Sequence, residues 1–484
     1  MPDPLRSDLL VVSGQRVAAA DGATTTVLAP HTGEPFATVA RAGAADVERA
    51  VAAAHAAFAD GQGRWPSTSA TERGRVLARV ADLLRARSDD LAELEAVGGG
   101  HPIGDARWEV EAAARTFEYY AGAANKHLGT TVPVMDGGLA VTLREPVGPC
   151  ALIVPWNFPL LIACWKVAPA LACGNPIILK PASLTPLTAL ALGDVLVEAG
   201  VPPEAVHVLA GPGAVLGDLL VADPRVAKVG FTGETATGAH ILKQSADTIT
   251  RVSLELGGKS ASVVFADADV ERAAAATPSA VFGNAGQDCC ARSRILVERP
   301  AYDAFVAAFA EATGALVVGA PLDPATQVGP MISAGQRQVA LDYLAIGAEE
   351  GTRLVCGGEV PDGPGFYLTP AVVADVDNGM RIAREEIFGP VAAVIPFDDE
   401  DDAVRMANDS DYGLSGSLWT GSSTRAIRVA RRLRTGSLSV NSHSSVRVET
   451  PFGGMKRSGL GRELGLAAMD LYSEQRTIFF SDQG

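Results

Sequence analysis

The chain has few of the residues that mark a small stapled or metal-bound protein. Only 6 cysteines occur in 484 residues, at Cys150, Cys164, Cys173, Cys289, Cys290 and Cys356. None has C-x-x-C spacing, which excludes a zinc ribbon or a disulfide scaffold. The 7 histidines are scattered and form no H-E-x-x-H, so the sequence carries no metal-catalysis signature and no metal ligand is assigned. Basic residues are in deficit, 40 against 56 acidic, and the net charge of −16 repels nucleic acid and anionic lipid. The densest basic stretch, residues 430–434, reads as a solvated helix face. Long apolar runs are missing too. The most apolar stretch, residues 151–174, is broken by Pro155, Asn157, Pro159, Lys166 and Pro169, which a lipid-spanning helix would not carry. At the start, Asp3 and Asp8 stand where a signal peptide needs basic and then apolar residues. The expectation is a cytoplasmic protein with neither a nucleic-acid nor a membrane partner. The 51 glycines and 30 prolines follow no period, so collagen and solenoid architectures are excluded.

What is present is an ordinary packed composition, 48% hydrophobic and 20% charged, in a length that suggests roughly two to three domains. Residues 46–59 place Val47, Ala50, Val51, Ala54 and Phe58 on one helical face, and Ser69-x-x-Glu72 reads as a capping box opening a second helix. From 150 to 258, continuous apolar runs at 150–154, 177–179, 206–209, 226–230 and 252–254 alternate with helical patterns. This β-α-β-α alternation predicts a doubly wound parallel sheet. Ligands bind beyond the carboxyl ends of such strands. Those ends carry Pro155-Trp156-Asn157, Lys180, Gly211-x-Gly213, Thr232-Gly233 and Glu255-Leu256-Gly257-Gly258.

A second alternation, with strands at 262–265, 294–297, 391–395, 416–419 and 437–440, predicts a second α/β domain. Residues 132–143 and 475–480 read as extended arms, which suggest a partner subunit. The expected organisation is a dinucleotide-binding domain from 1–122 and 145–257 and a catalytic domain from 258–457. Residues 123–144 and 458–484 form an oligomerisation arm and C-terminal segment.

The turn-rich segment 282–291, FGNAGQDCCA, carries adjacent cysteines. Arg292 and Arg294 nearby would favour the thiolate, the attacking form of cysteine, whereas Asp288 opposes it. The sequence leaves that balance open. Together with Val252–Ser260 (VSLELGGKS), this segment closely resembles the aldehyde dehydrogenase superfamily. Further matches are Pro155-Trp156-Asn157-Phe158-Pro159, Glu385-Glu386-Ile387-Phe388-Gly389-Pro390 and PFGGMKRSG at 451–459. The likeness runs from about Pro30 over most of the chain.

The resemblance implies oxidation of an aldehyde to a carboxylic acid through a cysteine-bound thioester. Cys289 would be the nucleophile and Cys290 its non-catalytic neighbour. The Asn157 side chain and the Cys289 amide would hold the oxyanion, and Glu255 would activate the hydrolytic water. Glu463 aligns with an acidic residue given a proton-relay role. Pro155, Trp156, Thr232 and Leu256 belong to the cofactor rim. Lys180 would contact the adenosine ribose, Glu386 the nicotinamide ribose, and Phe388 would pack near the ring. Gly213, Gly217 and Gly233 would let backbone approach the pyrophosphate, although G-x-G-x-x-x-G is not the Rossmann fingerprint.

Two positions depart from the family pattern. Ser183 stands where many NAD-preferring members carry a ribose-binding Glu, which opens NADP beside NAD. Glu234 stands where Ser is common and is expected to point outward at the start of the next helix. Phe158, Trp165, Asp288 and Val446 align with the aldehyde tunnel. An ammonium-bearing aldehyde, an apolar one, and, through Arg447, a carboxylate-bearing one all stay open. The likeness favours a homodimer or homotetramer. Competing activities are a CoA-acylating relative, which would not need Glu255, and a cofactor-independent cysteine hydrolase, for which His443 is the only distant base. A purely structural role is the remaining alternative.

Overall fold

The computed structural model describes residues 6–135 and 137–482; Asp3 of the leader reading lies outside them. The five expected strands form the centre of an eight-stranded sheet. Its order is Gly459–Leu460, Arg251–Glu255, Lys228–Thr232, Cys150–Ile153, Ile177–Lys180, Val206–Val208, Leu10–Val12 and Gln15–Val17. The central five run parallel, with Ile153 opposite Lys180 and Thr232 opposite Glu255. Cys150–Ile153, Ile177–Lys180 and Val206–Val208 are buried at every residue, which is why they read as continuous apolar runs. The chain winds outward from Cys150–Ile153 in both directions. The strand order therefore reverses between that strand and Lys228–Thr232, and the reversal opens a crevice between residues 155–157 and 232–233.

The helix after the first strand, Pro159–Ala172, is buried on every side. That suits a helix that is apolar all round, with proline in its first turn. Its one charge is Lys166.

The second sheet has seven strands, ordered Arg353–Cys356, Ala371–Ala374, Val391–Phe397, Arg294–Glu298, Ala261–Val264, Ser415–Trp419 and Ser437–Val440. All neighbours are parallel except the first pair. A third sheet pairs Ser473–Phe480 with Leu139–Pro146 and Thr131–Val132 in antiparallel register.

Several boundaries differ from the sequence expectation. The strand expected at 226–230 is Lys228–Thr232, because Val226 closes a turn onto Asp223 and the strand accommodates a buried lysine. Lys228 donates to Ser253 Oγ (2.6 Å) on the neighbouring strand. The basic stretch 430–434 is not a helix face. The helix Ser423–Ala430 ends there, and in the turn beyond it Arg432 pairs with Asp401 (2.6 Å). Ser69 caps Ala70–Ala86 by accepting from the Glu72 amide. The C-terminal segment divides its tasks. Gly459–Leu460 joins the edge of the first sheet, Leu464, Met469 and Tyr472 are buried in its core, and the arm begins only at Ser473. The sheet of Arg6–Asp8, Pro35–Ala40 and Thr24–Leu28, and the strands Arg353–Cys356 and Ala371–Ala374, were not anticipated.

Candidate active site

The helix Val270–Phe282 stops at Gly283, and the chain turns through Asn284, Ala285 and Gly286 at φ 49°, 53° and 72°. Left-handed backbone at two non-glycine residues costs energy and persists where the surroundings hold it. Here the surroundings are a hydrogen-bond network. Asn284 Nδ2 donates to the Asn157 carbonyl (2.7 Å), Gln287 Nε2 to the Asn284 carbonyl (3.0 Å), and Asn157 Nδ2 to the Gln287 carbonyl (2.8 Å). The Ile332 amide donates to Gln287 Oε1 (2.9 Å). At position 286 only glycine fits, since a Cβ would lie 2.2 Å from the Gly389 carbonyl oxygen. The cysteine-bearing turn is thus fastened to the Asn157 loop from one side and to residues 389–390 from the other.

Cys289 is partly exposed and Cys290 buried. The sequence left the thiolate balance open; the geometry decides it. Arg292 donates to the carbonyls of Cys290 and His443 and to Ser445 Oγ, and Arg294 donates to Asn378 and to the carbonyls of Met406 and Ala407. With both guanidinium groups so engaged, the Cys290 thiol, burial, and the charges of Asp288 and Glu386 push the Cys289 thiol well above its ordinary range. Asp288 accepts from the Cys290 amide (2.8 Å).

Glu255 ends its strand, buried, with neither carboxylate oxygen hydrogen-bonded. Burial and the nearby Glu463 charge push it well above the carboxylate range. Glu463 is itself ion-paired with Lys166 inside the core. Lys166 was singled out in the sequence only as a break in an apolar run, and that isolated charge was the available signal for it. Gln287 and Gln336 gave no such signal; Gln336 holds the carbonyls of Ile387 and Phe388 (3.1 and 3.0 Å).

A cavity of about 380 Å³ gathers most of the expected residues on one wall set: Pro155, Trp156, Asn157, Phe158, Thr232, Gly233, Glu255, Leu256, Cys289, Glu386 and Phe388. Trp156 and Phe388 meet edge to face at 5.2 Å. The Gly258 amide donates to Glu386 Oε1 (2.9 Å), and burial pushes that carboxyl up to about 7. Lys180 and Ser183 lie along the same rim outside this cavity. Lys180 Nζ donates to the Pro181 carbonyl (2.9 Å), lies 3.7 Å from where a Gly213 Cβ would stand, and is drawn down to about 8 by burial. Ser183 Oγ donates to the Gly211 carbonyl (2.8 Å). Gly217 faces open space, and Glu234 is exposed at the N-cap of Thr235–Ser245 while also lining the cavity, rather than pointing away from it.

These residues fit a dinucleotide. Thr232 Oγ1 is buried without a partner, and Gly257 leaves a cradle in which a Cβ would stand 2.1 Å from Glu386 Oε2. Three residues of the expected tunnel do not line this cavity. Trp165 packs edge to face on Phe452 (5.3 Å), and Val446, like Phe158 and Cys289, packs against the core of the first sheet. Asp288 lines a second cavity of about 680 Å³ with Asp105, Trp108 and Glu109. Phe158 lies between the two cavities and lines both. The hydrolase alternative fails on its base. His443 engages Ser417 Oγ (3.1 Å) and the Trp419 ring, and burial together with Arg292 draws it down to about 3, too weak for that task.

Among the described residues, no helix is long and apolar enough to cross a membrane. The chain is 42% identical over 471 residues to a betaine aldehyde dehydrogenase of Cereibacter sphaeroides, covering 97% of this chain and 96% of that one. It is 41% identical over 451 residues to human retinal dehydrogenase 2, covering 93% and 87%. Its fold superposes on the NAD+ complex of an aldehyde dehydrogenase from Bacillus cereus with a TM-score of 0.97 and 37% identity, over 99% of this chain and 97% of that one. The model of the aldehyde dehydrogenase family matches residues 17–478, and the chain belongs to that family as an NAD(P)-dependent enzyme that oxidises an aldehyde to the acid.

Proposed function

We propose that the substrate is a small aldehyde bearing an ammonium group, oxidised with Cys289 as nucleophile, Asn157 as oxyanion donor and Glu255 as general base. The observation that carries the roles is that Cys289, Asn157 and Glu255 share the walls of one cavity with Trp156, Glu386 and Phe388. Loss of the Cys289 S–H proton to solvent frees the sulfur to attack the carbonyl carbon, and the attack leaves an oxyanion between the Asn157 amide and the Cys289 backbone N–H. Losing one such donor typically slows a reaction ~10²–10³-fold. Asn157 already donates to the Gln287 carbonyl, which aims its amide, and its second N–H is the one available to substrate. NAD(P)+, when bound, would supply the hydride acceptor; Glu386 and Lys180 would hold its two riboses, and Thr232 with the backbone near Gly213, Gly217 and Gly233 would hold the phosphates. Glu255, poised by Glu463 and Lys166, takes the proton of the water that hydrolyses the thioester.

The substrate reading is supported by the second cavity, where Asp105, Glu109 and Asp288 stand with Trp108 and Phe158. Carboxylates and aromatic faces favour a cation. The betaine aldehyde dehydrogenases among the relatives point the same way. A trimethylammonium acetaldehyde and its neutral isostere 3,3-dimethylbutanal differ only in charge. The cation is expected to show at least a ten-fold higher kcat/KM, and equal values would overturn the ammonium reading. NAD+ is the cofactor expected to serve, with NADP+ accepted because Ser183 puts no carboxylate at the ribose. Negligible NADP+ turnover would remove that part. The chain is read as a cytoplasmic homodimer or homotetramer, joined through the arm sheet. Residues 1–122 and 145–257 carry the cofactor, and 258–457 the nucleophile.

A further inference from the structure

Apart from the reacting cysteines, the described residues hold one other group of cation-ligating side chains: Glu95, His101 and Glu109. All three are about 1% exposed. Each offers one ligand atom within 4.8 Å of the other two. Glu95 sits in the helix Ser88–Gly99, His101 in the short link after it, and Glu109 in the helix Ile103–Ala123, so the group clamps a helix–helix corner.

Hydrogen bonding accounts for only half of their capacity. Glu95 Oε1 accepts from the Leu160 amide (3.0 Å), and His101 Nδ1 meets Glu109 Oε1 (2.8 Å). Glu95 Oε2, His101 Nε2 and Glu109 Oε2 are buried without a partner. Buried polar atoms without partners are expensive unless a further group satisfies them. Gly99 keeps space beside the imidazole, since a Cβ there would lie 3.0 Å from Nε2. His101 and Glu109 also line the 680 Å³ cavity, which supplies an entry path from solvent.

The geometry points to a divalent-cation site in which one imidazole nitrogen and one oxygen from each of Glu95 and Glu109 ligate a zinc-sized ion, with the remaining position open toward the cavity. One nitrogen and two carboxylate oxygens are a donor set that zinc, cobalt and nickel accept at about 2.0–2.2 Å. The ion would fasten the two helices to the first turn of Pro159–Ala172 through Glu95, beside Phe158, whose ring meets His101 edge to face at 5.9 Å. The site shares Glu109 and the larger cavity with the substrate reading, but it acts on stability rather than on a chemical step, and its test reads Co2+ binding rather than turnover.

The test uses Co2+ on the full chain carrying Cys289→Ala and Cys290→Ala, which removes the thiols as competing ligands. After chelator treatment and dialysis, one Co2+ per chain is expected, with visible d–d absorption, no thiolate-to-metal charge transfer, and a rise in Tm. Glu109→Gln and His101→Asn, each in that background, should weaken Co2+ binding at least ten-fold. Each variant is first checked for folding by circular dichroism and NADH fluorescence. Failure of the thiol-free chain to bind Co2+, or undiminished binding by folded Glu109→Gln and His101→Asn variants, would overturn the site.

Discussion

At the scale of single residues the account turns on protonation. Glu255 is pushed up first by burial and then by Glu463. A base works only when ionised, so deacylation should fall as the pH drops through that raised value. Glu463→Gln removes the neighbouring negative charge that raises the Glu255 value. The acidic limb of the kcat–pH profile should therefore move to lower pH; a limb that stays in place would remove Glu463 from the mechanism. The paired cysteines separate in the same way. Cys289→Ala should abolish NADH formation while NAD+ still quenches tryptophan fluorescence, and Cys290→Ala should retain activity within about ten-fold. The reverse result would reassign the nucleophile. That Cys289, Asn157, Glu255, Glu386 and Phe388 belong together was legible in the sequence through the family resemblance, and they share one cavity. How they are charged was not legible, because that depends on where Arg292 and Arg294 point and on contacts between residues hundreds of positions apart.

At the scale of elements, the parallel strands were legible because burial on both faces leaves an uninterrupted apolar run. Lys228 marks where that rule breaks. A buried lysine, satisfied by Ser253 on the next strand, opens a strand that lies two residues beyond its expected place. The left-handed turn at Asn284 and Ala285 left no local trace, since it is imposed by hydrogen bonds from Asn157 and Gln287. The Glu95–His101–Glu109 corner likewise lies on two helices and a link, and its spacing matches no metal-ligand motif. Glycine placement in the strand-end loops carries a sharp expectation. Gly257→Ala sets a methyl 2.1 Å from Glu386 Oε2, and that carboxylate, the mobile end of a side chain, must swing away. Losing a charged hydrogen bond costs about 1.5–3 kcal/mol. KM for NAD+ should therefore rise roughly 10- to 100-fold with Tm nearly unchanged. An unaltered KM would show that Glu386 does not hold the cofactor.

At the scale of the whole molecule, the arm sheet is the feature a lone chain does not explain. Leu139 stands opposite Phe480 and Val141 opposite Ile478, which puts an apolar face on a sheet where Leu139 is 47% and Phe480 54% exposed. The chain of 49.9 kDa should therefore elute at two or four times that mass, and truncation after Tyr472 should yield monomers. A full-length monomer in light scattering would refute the arm's assigned role. The two α/β units were legible from alternation alone, whereas the return of Gly459–Leu460 to the first sheet was not, because two residues carry no period.

The central claim is that one sulfur, on Cys289, carries the acyl group and that Glu255 releases it. Glu255→Gln, mixed rapidly with NAD+ and aldehyde, should form a burst approaching one NADH per site, followed by slow turnover. Peptide mass spectrometry of the quenched enzyme should then find the acyl mass on Cys289. A variant that turns over at the wild-type rate with no burst, or an acyl mass on any other residue, would contradict the account.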